Sequence, residues 1–219
     1  MLSDYQVSKR LRKLPLMTVF SLHGLDLMID TRWSNTIIAI KETDPAASSS
    51  IFKLFDNFNA TKYALYEPGF LRWMGAVFAS EISKHANVAG PIYIVGHSAG
   101  AAVGLNLIRP LSLHGYTIEK WVGLGMPRTG WKDAYNFIPR QNSPLRQSPS
   151  IVMNHYRYGA DLVTYLPPWG NDYKRPYPVG ESRIGLASAP WPNLKDHQID
   201  KYLFELAALA KPTMPPVDR

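Results

Sequence analysis

The chain has 219 residues, 46% hydrophobic and 19% charged, which fits one globular domain with a sizeable core. It holds no cysteine, and this excludes a disulfide framework, a thiolate metal site and a cysteine nucleophile. Its net charge of +7 comes mostly from scattered lysines and arginines, a whole-surface bias toward anionic partners such as an acidic lipid surface, and no nucleic-acid partner is expected.

Near the N-terminus, Lys9-Arg10-Arg12-Lys13 precedes an apolar run at residues 14–22 and faintly imitates a signal peptide. Asp4 and the lack of an A-x-A cleavage site weigh against that reading. No stretch reaches the roughly 18 to 20 apolar residues that span a bilayer. The expectation is a soluble protein, cytoplasmic before secreted, with a basic N-terminal helix. Residues 8–22 read as a peripheral helix or a short strand, undecided because Pro15 interrupts the pattern. His23-Gly24 reads as a turn. Residues 25–30 and 36–40 read as an antiparallel strand pair, the second apolar enough to be central.

Beyond the loop that follows Ile40, Ile51, Leu54, Phe55 and Phe58 fall at helical spacing over barely two turns. This stripe either packs permanently on the core or forms a short lid hinged at Pro45 and residues 48–50. Residues 61–66 read as a strand. Pro68-Gly69 then opens a longer helix whose expected buried stripe is Phe70, Trp73, Met74, Val77, Phe78 and Ile82.

The next segment organises the rest. Ile92-Tyr93-Ile94-Val95 is a buried-strand run, Gly96-His97-Ser98-Ala99-Gly100 a sharp turn, and residues 101–108 a helix expected to stop at Pro110. A G-x-S-x-G pentapeptide arises by chance in roughly one chain of this length in fifteen, so its strand-turn-helix context carries the argument. Such a turn lifts a serine hydroxyl clear of the sheet at a helix N-terminus, where free N–H groups favour developing negative charge. Ser98 reads as a nucleophile and the Ala99 N–H as an oxyanion donor. The competing reading is a packing turn with Ser98 as an N-cap.

Further strands are expected at residues 118–124 and 151–158, with a helix near residues 132–137 between them. Residues 166–194, rich in Pro, Gly, Trp and Tyr, read as a long ordered loop, and a helix from about residue 197 to 211 closes the chain, buried along Ile199, Tyr202, Leu203, Leu206 and Leu209. Helices alternating with strands predict an α/β fold with a mainly parallel sheet covered on both faces.

A serine hydroxyl needs an imidazole base, itself oriented by a carboxylate. If the order is Ser, acid, His, then His114, His155 and His197 are the candidate bases. His114 precedes any convincing acid, and His155 sits inside a strand. His197 stands at a loop-to-helix junction from which it can reach over the sheet edge. Among the later carboxylates Asp161 is best placed, just beyond a strand end, with Asp196 the runner-up. The six histidines show no metal-ligand spacing, so neither a metal nor a cofactor is expected.

Several segments, in order, resemble the fungal-type class 3 lipases, a branch of the α/β hydrolases. Residues 38–43 resemble the family's strand ending in R-G-T, residues 49–57 its S-x-x-D-W-L segment, and Gly69-Phe70 the opening of its next helix. Gly96 to Ala101 resembles its G-H-S-x-G-G elbow, Gly125 to Gly130 its G-x-P-R-x-G, Asp161 to Pro167 its D-x-V-x-x-L-P, and Asp196-His197 with Tyr202 its ending. The sequence departs from the family at Lys41-Glu42, where R-G is usual, and at Ala101, where a second elbow glycine is usual. The resemblance implies an α/β-hydrolase fold, the triad Ser98, Asp161 and His197, a second oxyanion donor at Thr43, and hydrolysis of acyl esters, including lipids. Phospholipase, acyltransferase or feruloyl esterase chemistry would use the same triad, and a non-catalytic binding protein would keep only the fold.

Overall fold

The structure is a computed structural model that describes residues 1–12, 18–31, 35–42, 68–85, 90–128, 151–165 and 181–210. Among these, seven strands form one sheet in the order of the chain: β1 (Thr18–Leu22), β2 (Leu25–Asp30), β3 (Thr36–Glu42), β4 (Ile92–His97), β5 (Ile118–Leu124), β6 (Val152–Tyr158) and β7 (Glu181–Ile184). β1, β2 and β3 pair antiparallel, and β3 through β7 pair parallel. The parallel strands therefore end at one common edge. The β1–β2 turn is the two-residue His23-Gly24, both at positive φ (50° and 75°), the twist that a tight hairpin requires.

The central strands read as nearly unbroken apolar runs because helices cover both faces, and their alternate side chains feed two separate cores. Ile38, Ile40, Ile92, Ile94 and Trp121 pack beneath α2 (Pro68–Ser83) and α3 (Ala99–Leu113). Ile37, Ala39, Tyr93, Val95, Val122 and Leu124 face the other way, toward α1 (Asp4–Ser8) and α4 (Ile199–Leu209).

Five sequence expectations are corrected, the first being that Leu209, expected in the buried stripe of α4, is exposed at its end. Residues 8–22 contain both a short helical turn (Lys9–Arg12) and a strand, and the N-terminal segment is not peripheral: a Ser3–Gln6 capping box starts α1, and Val7 and Leu11 are fully buried. The buried stripe of α2 is Leu71, Met74, Phe78, Ala79 and Ile82; Trp73 lies half-exposed beside His23. The Phe70 side chain lies outside the described residues. α3 runs through Pro110 to Leu113, because a proline one turn from the end removes a single ladder bond, the one to the Asn106 carbonyl. That carbonyl abuts Gly75 of α2, where a Cβ would stand 2.6 Å from it. Finally, the long segment at 166–194 includes β7, which closes the sheet beside β6.

The stripe at 51–58, the strand at 61–66 and the helix at 132–137 lie outside the described residues. No helix among the described residues is long and apolar enough to cross a membrane.

Candidate active site

Ser98 sits between β4 and α3 with φ 56° and ψ −130°, one of two non-glycine residues with positive φ among those described. The glycines at either side are required by contact. A Cβ at Gly96 would stand 2.3 Å from the Gly100 carbonyl oxygen, and one at Gly100 would stand 2.4 Å from the Ile40 carbonyl oxygen and 3.0 Å from Lys41 Cα. The tip of β3 thus presses on the elbow. Ser98 N–H donates to the Leu124 carbonyl at 2.9 Å, tying the turn to β5. Ala99 is the first residue of α3, so its N–H has no partner within the helix ladder. Thr43, the expected second donor, lies outside the described residues, one position beyond the end of β3.

Asp161 follows β6 by way of Gly159 and Ala160. A parallel bridge joins it to Asn193, with Asn193 N–H donating to Ala160 O at 2.9 Å and Leu162 N–H to Asn193 O at 3.0 Å. This short pairing carries the chain after β7 alongside the end of β6. The next helical turn, Lys195–His197, then places His197 Nδ1 at 2.8 Å from Asp161 Oδ2, with both side chains buried. Since a carboxylate only accepts, the contact assigns a proton to Nδ1, and in the neutral ring this leaves the lone pair on Nε2. Asp161 also accepts Val163 N–H through Oδ1 at 2.9 Å and the Tyr202 hydroxyl through Oδ2. Tyr202 is wholly buried, and burial together with the Asp161 charge pushes its phenol well above the usual range, so it stays a donor.

The structure therefore joins Asp161 to His197 and stations Ser98 beside His97, whose ring stacks on His197 with centroids 4.6 Å apart. Ser98 Oγ and His197 Nε2 are both buried and do not hydrogen-bond each other. Gly125, at the end of β5 with φ 58°, closes the floor: a Cβ there would lie 2.8 Å from Asp161 Oδ2 and 2.9 Å from His197 Nδ1.

The rival candidates stand elsewhere. Asp196 is buried but faces away from the ring, accepting Ala160 N–H at 2.9 Å, Ser188 N–H at 3.2 Å and the Lys201 ammonium at 3.0 Å. Burial pushes its carboxyl up, but the bonds from Ser188, Ala160 and Lys201 more than offset this and hold it well below the carboxylate range. His155 packs inside β6 against Trp121. His114 caps the far end of α3. Two contacts escaped the sequence reading. Tyr202 was legible as a core position of the last helix and as part of the lipase-like ending, and His97 as part of the G-H-S-x-G-G-like elbow, neither as a contact of Asp161 or His197.

A mixed, mainly parallel sheet with flanking helices, a strained serine elbow after a central strand and an acid–histidine pair at the carboxyl edge match the architecture of the α/β-hydrolase fold. No protein-family model matches the chain, and no curated protein matches it in sequence. Solved structures do. A fungal lipase structure superposes with a TM-score of 0.56 at 14% identity, covering 94% of each chain, and the lipase of Rhizopus microsporus var. chinensis with 0.50 at 14%, covering 85% of this chain and 75% of that one. The Lip2 lipase of Yarrowia lipolytica follows at 0.45 and 16%, covering 77% of this chain and 63% of its own, so the chain spans less than two thirds of that lipase. At these identities the likeness establishes the fold: it is the α/β-hydrolase fold in the form found in fungal lipases.

Proposed function

We propose that the chain is a serine carboxylic ester hydrolase acting on acyl esters, lipid esters among them. The observation that carries this reading is the bond from His197 Nδ1–H to the buried Asp161 carboxylate, which leaves Nε2 as a lone-pair base next to the elbow that bears Ser98. Ser98 Oγ attacks the ester carbonyl while its proton passes to His197 Nε2. Asp161 stabilises the imidazolium that forms, and the Ala99 N–H receives the oxyanion with the helical N-terminus behind it. By the family resemblance, Thr43 supplies the second donor. Collapse expels the alcohol, which takes the proton from His197, and water then repeats the sequence on the acyl-enzyme to release the acid. That Ser98 Oγ and His197 Nε2 do not hydrogen-bond each other is compatible with this role, because catalytic hydrogen bonds in ligand-free enzymes often form or tighten only around the substrate.

The test is a panel of p-nitrophenyl esters of rising chain length together with a fluorophosphonate probe. Ser98→Ala should abolish labelling and lower kcat by orders of magnitude, and Asp161→Asn should lower kcat by about 10⁴, by analogy with the serine protease triad. Wild-type turnover in Ser98→Ala would exclude the mechanism. Release of free acid, as opposed to an acylated acceptor, separates hydrolase from acyltransferase.

A further inference from the structure

The residue between Gly96 and Ser98 has no part in the chemistry above, yet its ring lies against the base. His97 ends β4, and its Nε2 lies 2.9 Å from the backbone carbonyl oxygen of His197, 100 residues away in the chain. The two imidazoles stack with centroids 4.6 Å apart and planes 28° from parallel, and Tyr202 meets the His97 ring edge-on at 6.0 Å. A carbonyl oxygen only accepts, so His97 carries its proton on Nε2. Residue 197 is therefore held twice, at its backbone oxygen and on one face of its ring, by the immediate neighbour of Ser98.

We propose that His97 is a positioning residue for His197: its Nε2–H and its ring face hold the base's imidazole at the elbow that carries Ser98. This rests on the serine hydrolase reading above. Three charged or titratable groups face His97 from the elements around it: His197 from its own turn, Lys41 from the end of β3 and Tyr202 from α4. Burial, then the charges of His197 and Lys41, hold His97 well below the ordinary imidazole range against the opposing pull of its carbonyl bond. A neutral ring serves both parts of the role. It keeps the Nε2 proton for the carbonyl, and it does not repel the imidazolium that forms at His197.

The experiment compares His97→Phe, which keeps a ring and loses the donor, with His97→Gln, which keeps an amide donor and loses the ring. Three quantities are read: kcat and KM on a soluble p-nitrophenyl ester, the second-order rate of Ser98 labelling by a fluorophosphonate, and the NMR resonance of the His197 Nδ1 proton. His97→Phe should lower kcat and the labelling rate by about 10- to 100-fold with KM within about twofold, because a displaced base costs the reacting geometry rather than binding. Its Nδ1 resonance should move or broaden, and His97→Gln should recover about tenfold of the lost rate. Wild-type kcat in His97→Phe, an unchanged resonance, or equal losses in both variants that track a lowered melting temperature would each overturn the proposal. Should His97→Phe fail to fold, His97→Gln against His97→Met makes the same comparison at matched shape, with Gln expected to be the faster. A wild-type protein that neither turns over ester nor takes the probe refutes the hydrolase reading, and the resonance comparison then decides His97 by itself.

Discussion

Gly125 leaves no room for a side chain beside the proposed acid and base, and the consequences can be measured. Adding a methyl group there places a carbon 2.8 Å from Asp161 Oδ2 and 2.9 Å from two atoms of the His197 ring, on a backbone whose φ of 58° already disfavours any side chain. Gly125→Ala should cost about 1 to 3 kcal/mol of stability through backbone strain. It should also lower kcat by about 100-fold, since a displacement of about 1 Å at the reacting groups has that effect. Thermal melting and steady-state kinetics on a soluble ester check the two parts separately. A variant that melts early yet keeps full kcat would show that the Asp161–His197 contact tolerates displacement and is not the catalytic one. The same residue explains why G-x-P-R-x-G was legible as a segment while its purpose was not: only the folded chain brings Asp161 and His197 against position 125.

At the scale of an element, residues 185–197 depend on Asp196. Its carboxylate gathers Ala160 N–H, Ser188 N–H, the Asn193 side-chain amide and Lys201, and so fastens the segment that delivers His197 to the end of β6. The folded carboxyl is held below its unfolded value near 3.9, so the folded state binds this proton less readily than the unfolded one. The stabilisation is complete above that unfolded value and is lost as pH falls through the folded one. Asp196→Asn should therefore lower the melting temperature most between about pH 6 and 8, with the gap to wild type narrowing below about pH 3. A gap of constant size from pH 2.5 to 7 would assign the residue's contribution to packing rather than to charge. The exposed neighbours Leu186 and Trp191 ride on this anchored segment, 87% and 78% accessible. By composition the stretch reads as loop alone, and β7 is not legible in it because four residues at a sheet edge, Glu-Ser-Arg-Ile, carry no apolar run.

Across the whole molecule, the N-terminal twelve residues lock the far face of the sheet. Asp4 receives Lys120 at 2.7 Å, Asn154 at 2.5 Å and the Tyr156 hydroxyl at 2.6 Å, while Lys120 also donates to the Leu2 carbonyl at 2.8 Å. Arg10 meets Asp30 at 2.7 Å and Arg12 meets Asp200 of α4 at 2.9 Å. Burial, with the Asp4 bond and charge, drives the Tyr156 phenol upward and keeps it a donor. Asp4→Ala strands a buried ammonium and should cost about 3 to 5 kcal/mol, seen as a lower urea midpoint with an unchanged slope. The double variant Asp4→Ala/Lys120→Met should regain part of that loss, since the stranded charge is gone. If it does not, the cost lies in α1 docking and not in the Lys120 charge. A lysine and an aspartate 116 residues apart announce nothing in a linear reading. The basic run at residues 9–13 reads instead as a basic N-terminal helix.

What the chain determined locally is what depends on short-range periodicity and sterics. The turn at His23-Gly24, the apolar runs of β3, β4 and β5, and the elbow around Ser98 each follow from residues within about ten positions of one another. The choice of Asp161 and His197 also came from order and placement along the chain, and the fold brings those two side chains together. What only the tertiary structure decided is every contact between segments far apart in sequence: the burial of Val7 and Leu11, the turn of Asp196 away from the base, the hydroxyl of Tyr202 on Asp161, and the ring of His97 on His197. The physical reason is that a side chain's neighbours are set by which strands share an edge and which helices share a face. Those choices depend on the burial of the whole chain, and no local window of residues contains them.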